Sequence, residues 1–207
     1  MYTGITRGIF PVSRVEDHPG FTRFSVALNS ALTRDIQTGA SVAIDGVCCT
    51  VVEFTDTELS FDAMQETRSL TTLSELRVGR GVSVERSCRV GDELGGHDVF
   101  GHVIGTGVVT RVEAIGGQLD LTIQVPPAWM KFILHKGFIA VDGSSLTVGD
   151  VRREGTFDLH LIPETLRVTN FAARRVGDRV NVELDSRTVA IVETVERVLA
   201  DRLGAGG

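Results

Sequence analysis

Small polar side chains recur after two Asp-Gly pairs, and their types suit the binding or transformation of a ligand. Cys48 and Thr50 follow the first pair, and Ser145 and Thr147 stand at the same distances after the second. Hydroxyls and thiols of this size can hydrogen-bond a polar heterocycle. A turn followed by an ordinary strand explains the same pattern, because free cysteine is often a small core residue. Spacing alone leaves both interpretations open.

Two further groups of residues could carry chemistry. Segments 61–67 and 157–165 place carboxylates and hydroxyls between an apolar strand and a helix start, where a Glu could equally well favour a helix N-terminus. His97 and His102 stand at the junction of the two halves of the chain, where ligand clefts often form. Two histidines five apart are weak evidence of a metal, and no metalloprotease, EF-hand, P-loop or dinucleotide-binding motif is present. We expect no metal and no cofactor.

An internal repeat relates these groups. Residues 40–85 are echoed by residues 137–183, with Asp-Gly-Val-Cys-Cys-Thr-Val answered by Asp-Gly-Ser-Ser-Leu-Thr-Val. Upstream, Gly4 pairs with Gly101, so that the duplication covers nearly the whole chain. It predicts two domains, about 1–97 and 98–186, each near the size at which one core suffices.

The elements that position these residues are short strands. Phe24–Leu28, Ser41–Ile44, Leu119–Ile123 and Val180–Leu184 are rich in β-branched residues and alternate, with glycines and Asp-Gly pairs between them. A closed barrel removes exposed strand edges, so that we predict a mainly β protein with a Greek-key-like β-barrel in each half. Short helical insertions are expected at 68–76 and 128–134.

The C-terminal segment, 187–207, has a different period. One helical face is apolar, which predicts an amphipathic helix that ends near Gly204. The apolar face consists of Ile191, Val192, Val195, Val198, Leu199 and Leu203. A helix of this length needs an apolar partner in water, and either its own barrel or another copy of the chain could provide it.

Composition narrows the class of partner and the compartment. The net charge of −6, from 21 Lys and Arg against 27 Asp and Glu, argues against nucleic acid. The three cysteines form no CxxC motif, and we expect free thiols in a reducing compartment. No basic leader and no run of about 18 apolar residues occurs, so we expect a soluble, cytoplasmic protein without membrane contact.

Several ordered motifs resemble the riboflavin synthases of the alpha-chain type. They stand at residues 1–5, 39–43, 94–97 and 101–102, and again at 136–148 and 161–166. The resemblance runs from Met1 to about Leu199, on both halves of the duplication. No one motif would suffice, but their order and spacing make coincidence improbable.

The resemblance implies an enzyme that needs no cofactor. Two molecules of 6,7-dimethyl-8-ribityllumazine would exchange a four-carbon unit, giving riboflavin and 5-amino-6-(D-ribitylamino)uracil in the last step of riboflavin biosynthesis. It also implies two six-stranded barrels, a C-terminal trimerisation helix and an active site between the N-terminal barrel of one subunit and the C-terminal barrel of another. A homotrimer is therefore expected, and association with lumazine synthase is possible.

Site residues are carried over position by position. The substrate in the N-terminal barrel would be bound by Gly4, Ile5, Thr6, Cys48, Cys49, Thr50, Asp62, Ala63, Met64, Gln65, Glu66 and Thr67. The substrate in the C-terminal barrel would be bound by Gly101, His102, Val103, Lys136, Ser145, Leu146, Thr147, Ile162, Pro163, Glu164, Thr165, Leu166 and Arg167. The resemblance marks Ser41, Cys48, His102 and Asp185 as catalytic candidates, without saying which group handles a proton and which a nucleophile.

Departures from the family pattern are few. Tyr2 stands where Phe is common, Ile104 where many members have Asp, Cys49 where Leu is common and Gln65 where Pro is common. We expect the Tyr2 hydroxyl to face solvent and to be neutral for turnover, although a phenol that reached the reacting rings would compete for a hydrogen bond.

Two rival functions belong to other classes. A non-catalytic relative would bind one lumazine or flavin as a chromophore, but here both halves keep their polar loops, and Cys48, His102 and Lys136 are all present. A barrel that only binds macromolecules would need a basic or aromatic face, which one Trp, one Tyr and an acidic balance disfavour.

Overall fold

Twelve short strands form two closed antiparallel barrels in the computed structural model, which describes residues 1–204. The strands of the first barrel are β1 Ile9–His18, β2 Phe21–Ala27, β3 Ser41–Ile44, β4 Val47–Phe54, β5 Glu58–Met64 and β6 Gly81–Arg86. Their order is β1-β2-β5-β4-β3-β6, and β6 pairs with β1 to close the barrel. The long connection from β2 to β3 leaves room for β5 and β4 between these two strands, as in Greek-key topology.

The second barrel repeats this order with β7 to β12. Its strands are β7 Gly105–Ile115, β8 Gln118–Gln124, β9 Phe138–Val141, β10 Ser144–Arg152, β11 Thr156–Leu161 and β12 Arg179–Leu184. Neighbours around the barrel are β7-β8-β11-β10-β9-β12, and β12 pairs with β7. The predicted pair of six-stranded barrels is confirmed.

Short helices connect the strands. Helix α1 spans Ser30–Thr33, α2 Gln65–Leu70 and α3 Pro163–Val168, and 3-10 helices span Thr72–Glu75, Pro127–Phe132 and Asn170–Ala173. The first predicted insertion, 68–76, is divided between the end of α2 and a 3-10 helix, and the second, 128–134, is a 3-10 helix. Glu66 and Glu164 lie in the first turns of α2 and α3, where a carboxylate is favoured by the helix dipole.

Each barrel has its own apolar core, built from the inward positions of the alternating strands. The rings of Phe24 and Phe61 pack across β2 and β5 with centroids 5.3 Å apart, and both are fully buried. Phe157 is buried in the second core. Burial of each such side chain contributes about 1.5–3 kcal/mol.

The two Asp-Gly turns meet where the barrels join. Asp45 and Gly46 have φ values of 45° and 81°, and Asp142 and Gly143 have 44° and 80°, as two-residue hairpin turns require. A β-carbon on Gly46 would lie 2.4 Å from the amide nitrogen of Gly143. Both glycines are therefore needed for the close approach of the two halves as well as for the turn.

Helix α4, Ser186–Gly204, follows the second barrel. Lys131 pairs with Glu196 and Asp98 with Arg187, but much of the predicted apolar face is uncovered, with Ile191 65% exposed. Packing on its own barrel thus leaves that face open. The final residues of the predicted tail, 205–207, lie outside the described residues. Within residues 1–204, no helix combines the length and apolar character needed to cross a membrane.

Candidate active site

Each barrel has a cavity beside the hairpin that follows its Asp-Gly turn. The N-terminal cavity, of about 340 Å³, is lined by Cys48, by Glu66 and Thr67 at the start of α2, and by residues 101–103. The C-terminal cavity, of about 370 Å³, is lined by residues 144–146, by part of α3 and by residues 4–7. Volumes above about 300 Å³ are typical of small-molecule sites. The structure thus brings the two sets of repeated polar residues to two related cavities.

The segments that precede β1 and β7 exchange contacts between the barrels: each keeps hydrogen bonds to its own barrel but also reaches the hairpin of the other. Ser145 N–H donates to the carbonyl of Gly4 at 2.8 Å, and Cys48 N–H donates to the carbonyl of Gly101 at 3.0 Å. Both glycines have positive φ, 74° and 76°. A β-carbon on Gly4 would lie 2.5 Å from Ser145 Cβ, and one on Gly101 would lie 2.6 Å from Cys48 Cβ.

This exchange corrects the predicted grouping of the site residues. Gly4–Thr6 were expected in the N-terminal site with Cys48, and Gly101–Val103 in the C-terminal site with Ser145. Each segment instead lines the cavity of the other barrel. A repeat identifies equivalent residues, but it does not determine which barrel an arm preceding the first strand will contact.

Two buried glutamates hold the exchanged segments. Glu85 accepts hydrogen bonds from Thr3 N–H and Thr3 Oγ1, both at 2.7 Å. Glu183, its repeat partner, accepts from the backbone N–H groups of Phe100 at 2.7 Å and Gly101 at 2.9 Å. Burial raises the pKa of both carboxyls, and these hydrogen bonds oppose the rise. The repeat matched the two glutamates, but nothing in the local sequence indicated their anchoring role.

Cys48 is half-buried at the wall of the N-terminal cavity and has a neighbour that the sequence did not predict. The hydroxyl of Tyr2 donates to Cys48 Sγ at 3.1 Å, and Tyr2 is 0% exposed. The expectation that this hydroxyl faces solvent was therefore wrong. Burial raises the pKa of Tyr2, and the hydrogen bond to Cys48 raises it further, so the phenol stays a neutral donor.

The equivalent position in the C-terminal cavity carries Ser145. Its Oγ lies 2.6 Å from His97 Nδ1, and the imidazole stacks on Phe138 with centroids 5.1 Å apart. Burial lowers the pKa of His97, although the nearby charge of Asp185 opposes this. A neutral imidazole beside a hydroxyl can accept a proton, so this pair is suited to proton transfer at the cavity wall. The sequence had marked His97 only as a residue of the domain junction.

Other predicted site residues are only partly gathered. His102 is exposed and lines the N-terminal cavity, while Ser41 pairs with Thr50 across β3 and β4. The thiol of Cys49 points into the first core, so that only its backbone is available to a ligand. Burial raises the pKa of this thiol.

Several charged candidates lie away from both cavity linings. Asp62 forms a paired contact with Arg23 at 2.7 and 2.9 Å, and this hydrogen bonding lowers the pKa of Asp62. Lys136 is exposed, with φ at 62°. Asp185 caps helix α4 by accepting from Thr188 N–H at 2.8 Å. Within one described chain, these three residues do not meet Cys48 or Ser145.

No group of three or more His, Cys, Asp or Glu side chains among residues 1–204 is arranged to hold a metal ion. Three larger cavities, of about 490, 480 and 440 Å³, lie elsewhere among the described residues, and the first and third are rich in arginine. None of the three is lined by Cys48, Ser145 or the helix starts that follow β5 and β11. The two smaller cavities are therefore the better candidates for one duplicated site.

Comparisons with known proteins agree with the duplication. A family model described as the lumazine binding domain matches residues 3–87 and again residues 100–185. Riboflavin synthase of Escherichia coli (strain K12) is 43% identical over 206 residues, which cover 99% of this chain and 96% of that protein. Riboflavin synthase of Chlamydia muridarum is 36% identical over 204 residues, covering 99% of this chain and 100% of that protein.

Solved structures share the fold at lower identity. The crystal structure of LumP complexed with riboflavin has a TM-score of 0.83, covers 90% of this chain and 100% of its own, and is 22% identical. LumP complexed with 6,7-dimethyl-8-(1'-D-ribityl) lumazine has a TM-score of 0.81 at the same identity. With two lumazine-binding domains and relatives this similar over almost its full length, the chain belongs to the riboflavin synthase family.

Proposed function

We propose that this protein is a riboflavin synthase that converts two molecules of 6,7-dimethyl-8-ribityllumazine into riboflavin and 5-amino-6-(D-ribitylamino)uracil. The observation that carries the proposal is the presence of two related cavities, each with a small nucleophilic or hydroxyl side chain at the same repeat position. A reaction between two identical substrates needs two similar sites. A binding protein for one chromophore needs only one.

The reaction depends on the acidic methyl group at C7 of lumazine. Loss of its proton gives a delocalised anion, which attacks a partner ring that is activated by addition of a nucleophile. Ser145 with His97 is suited to moving a proton, and Cys48 is a nucleophile of the other cavity. His102, Ser41 and Asp185 stay further candidates. Proximity of the two rings would provide much of the rate acceleration.

We propose that the complete site forms between subunits of a homotrimer. Apolar side chains near the two cavities are exposed in one chain, among them Met64 at 58%, Ile162 at 57% and Phe138 at 51%. Such side chains favour a covering partner, which an opposing barrel and the two bound rings would supply. The uncovered face of α4 offers the contact that would gather three chains.

The proposed substrate-binding residues also include two longer segments. Residues 62–67 run from the end of β5 into α2, and residues 162–167 include most of α3; Glu66 and Thr67 line one cavity, and Glu164 and Thr165 line the other. Backbone N–H and C=O groups of these segments would bind the pyrimidinedione edge of each lumazine. We place the protein in the cytoplasm, since its thiols are free and no helix among residues 1–204 could span a membrane. Association with lumazine synthase stays a prediction.

The first experiment is anaerobic incubation of the purified protein with 6,7-dimethyl-8-ribityllumazine, followed by chromatography. We expect riboflavin and the pyrimidine in equal amounts, with two lumazines consumed for each pair. A Cys48→Ala and a Ser145→Ala variant test the two cavities separately, and each should reduce turnover. Tight binding of unchanged lumazine would contradict the proposal and indicate a chromophore carrier.

The trimer has its own test. Ile191→Glu together with Val195→Glu places charges on the uncovered face of α4, while Glu193→Lys changes a charge on its other side. We expect light scattering to show trimers for the wild type and for Glu193→Lys, and monomers for the double variant. The monomers should bind lumazine but lose turnover, since the complete site would need two chains. Unchanged mass and activity of the double variant would contradict an assembly through α4.

A further inference from the structure

Tyr2 makes a side-chain contact that its position near the N-terminus does not suggest. Its backbone pairs with Val99, with N–H to carbonyl distances of 2.6 and 3.1 Å in the two directions. Its ring is packed with Ala43, Val99 and Ala140 where the barrels meet. The phenol is thus fixed from both sides, and its oxygen reaches Cys48 Sγ at 3.1 Å.

The other half of the duplication lacks this contact. Val99 is the repeat partner of Tyr2, and Ser145 is the repeat partner of Cys48. The side chain of Val99 has no donor, and Ser145 instead contacts His97 Nδ1 at 2.6 Å. Each cavity therefore has one polar partner for its reactive side chain, but the two partners come from different places and differ in chemistry.

A buried tyrosine hydroxyl needs a hydrogen-bond partner, and sulfur is the one that it has here. Because burial raises the pKa of Tyr2, its phenol remains a donor and cannot act as a base. A cysteine side chain has three staggered rotamers, and a fixed donor favours the one that places sulfur beside it.

We propose that Tyr2 is a positioning residue for Cys48, which holds the sulfur in one rotamer at the wall of the N-terminal cavity. This role goes beyond the proposed function and rests on it only for the consequence for turnover. Tyr2→Phe removes the hydroxyl and keeps the ring, so that the packing between the barrels is preserved. The reactivity of Cys48 should change while the fold does not.

The test is alkylation of Cys48 by iodoacetamide at one fixed pH, in a Cys88→Ser background. Cys88 is only half-buried and would otherwise react, whereas Cys49 is buried. We expect Tyr2→Phe to change the rate of alkylation of Cys48 by about two- to threefold, because the sulfur loses its fixed donor and is no longer held in one rotamer.

The ring is kept in Tyr2→Phe, so that a change of rate at unchanged thermal stability comes from the lost hydroxyl. An unchanged rate of alkylation would overturn the proposal, and so would a change of rate that accompanies a loss of thermal stability, which would indicate a structural effect on access. Thermal unfolding of Tyr2→Phe checks that the barrels remain intact.

Turnover gives an independent measurement. With 6,7-dimethyl-8-ribityllumazine as substrate, Tyr2→Phe should lower kcat more than it changes KM, and it should have no further effect in a Cys48→Ala background. An equal effect of Tyr2→Phe with and without Cys48 would contradict the proposed role. If the wild-type protein had no turnover, the alkylation rates would still test the contact, so failure of the proposed function and failure of this inference are distinguishable.

Discussion

Replacement of Gly101 by alanine tests the exchange of segments between the barrels. The new β-carbon would lie 2.6 Å from Cys48 Cβ and 2.7 Å from Cys48 N, which are too close for any real contact. The backbone nitrogen cannot rotate away, so that a shift of the strand or of the segment is required. Overpacking of this kind costs about 1–3 kcal/mol. The φ of 76° adds about 1–2 kcal/mol for a residue with a β-carbon.

Gly79→Ala is a matched control for the backbone cost. Gly79 has a φ of 85°, and a β-carbon there would meet nothing within 4 Å. Urea unfolding should therefore show Gly101→Ala to be less stable than Gly79→Ala by about 1–3 kcal/mol. The same comparison isolates the contact with Cys48 from the strain of a positive φ.

The functional consequence depends on which cavity each segment lines. Bound lumazine should protect Cys48 from iodoacetamide in the wild type, and Gly101→Ala should weaken that protection because it displaces the hydrogen bond from Cys48 N–H to Gly101. Gly4→Ala, with a 2.5 Å contact to Ser145, should destabilise the protein similarly but leave the protection of Cys48 intact. The reasoning is refuted if Gly101→Ala is no less stable than Gly79→Ala, or if Gly4→Ala alone removes the protection.

Three further predictions concern the barrel junction and helix α4. Burial, and then the charge of Asp142, raise the pKa of Asp45 to about 7. The stability linked to this group is therefore fully present below about pH 4 and is lost as the pH rises through about 7. Thermal unfolding between pH 4 and 8 should show a smaller loss of stability for Asp45→Asn than for the wild type, and an equal loss would contradict the shift. Asn181 joins the two halves of the chain by donating to the Asp45 carbonyl at 2.7 Å and accepting from Thr72 N–H at 2.7 Å. Urea unfolding of Asn181→Ala should show a loss of about 2–4 kcal/mol in the free energy of unfolding, since two buried groups lose their hydrogen-bond partners. Asp185→Ala should lower stability by about 1 kcal/mol and Asp185→Ser should restore it, as expected for a helix cap, whereas equal stability of the two variants would argue against capping.

Much of the fold could be predicted because its signals are local. The Asp-Gly pairs at 45 and 142 adopt the positive φ values that such turns need, and Ser41–Ile44 is a strand with the bounds that its alternation predicted. Because of the repeat, each strand or turn inferred in one half of the chain also predicted its equivalent in the other half. The apolar face of α4 was equally visible, but its pattern alone could not distinguish between a barrel and a second chain as its partner.

The candidate site was predicted less completely, because it depends on contacts between distant residues. Cys48 and Ser145 were identified as equivalent from their turns, yet their partners, Tyr2 and His97, are 46 and 48 residues away. Glu85 and Glu183 had likewise been matched by the repeat without any sign that they hold the crossing segments. A hydrogen bond over such a separation leaves no periodic trace in the sequence.

The sequence by itself determined the strands, the turns, the duplication and the family, because alternation, Asp-Gly turns and ordered motifs are properties of neighbouring residues. Only the tertiary structure decided that Gly4 reaches Ser145 and that Gly101 reaches Cys48. The physical reason is that both glycines have the same local conformation, so that no local preference distinguishes one barrel from the other. The contacts of the two segments across the barrel junction, and with them the composition of each cavity, exist only in the folded chain.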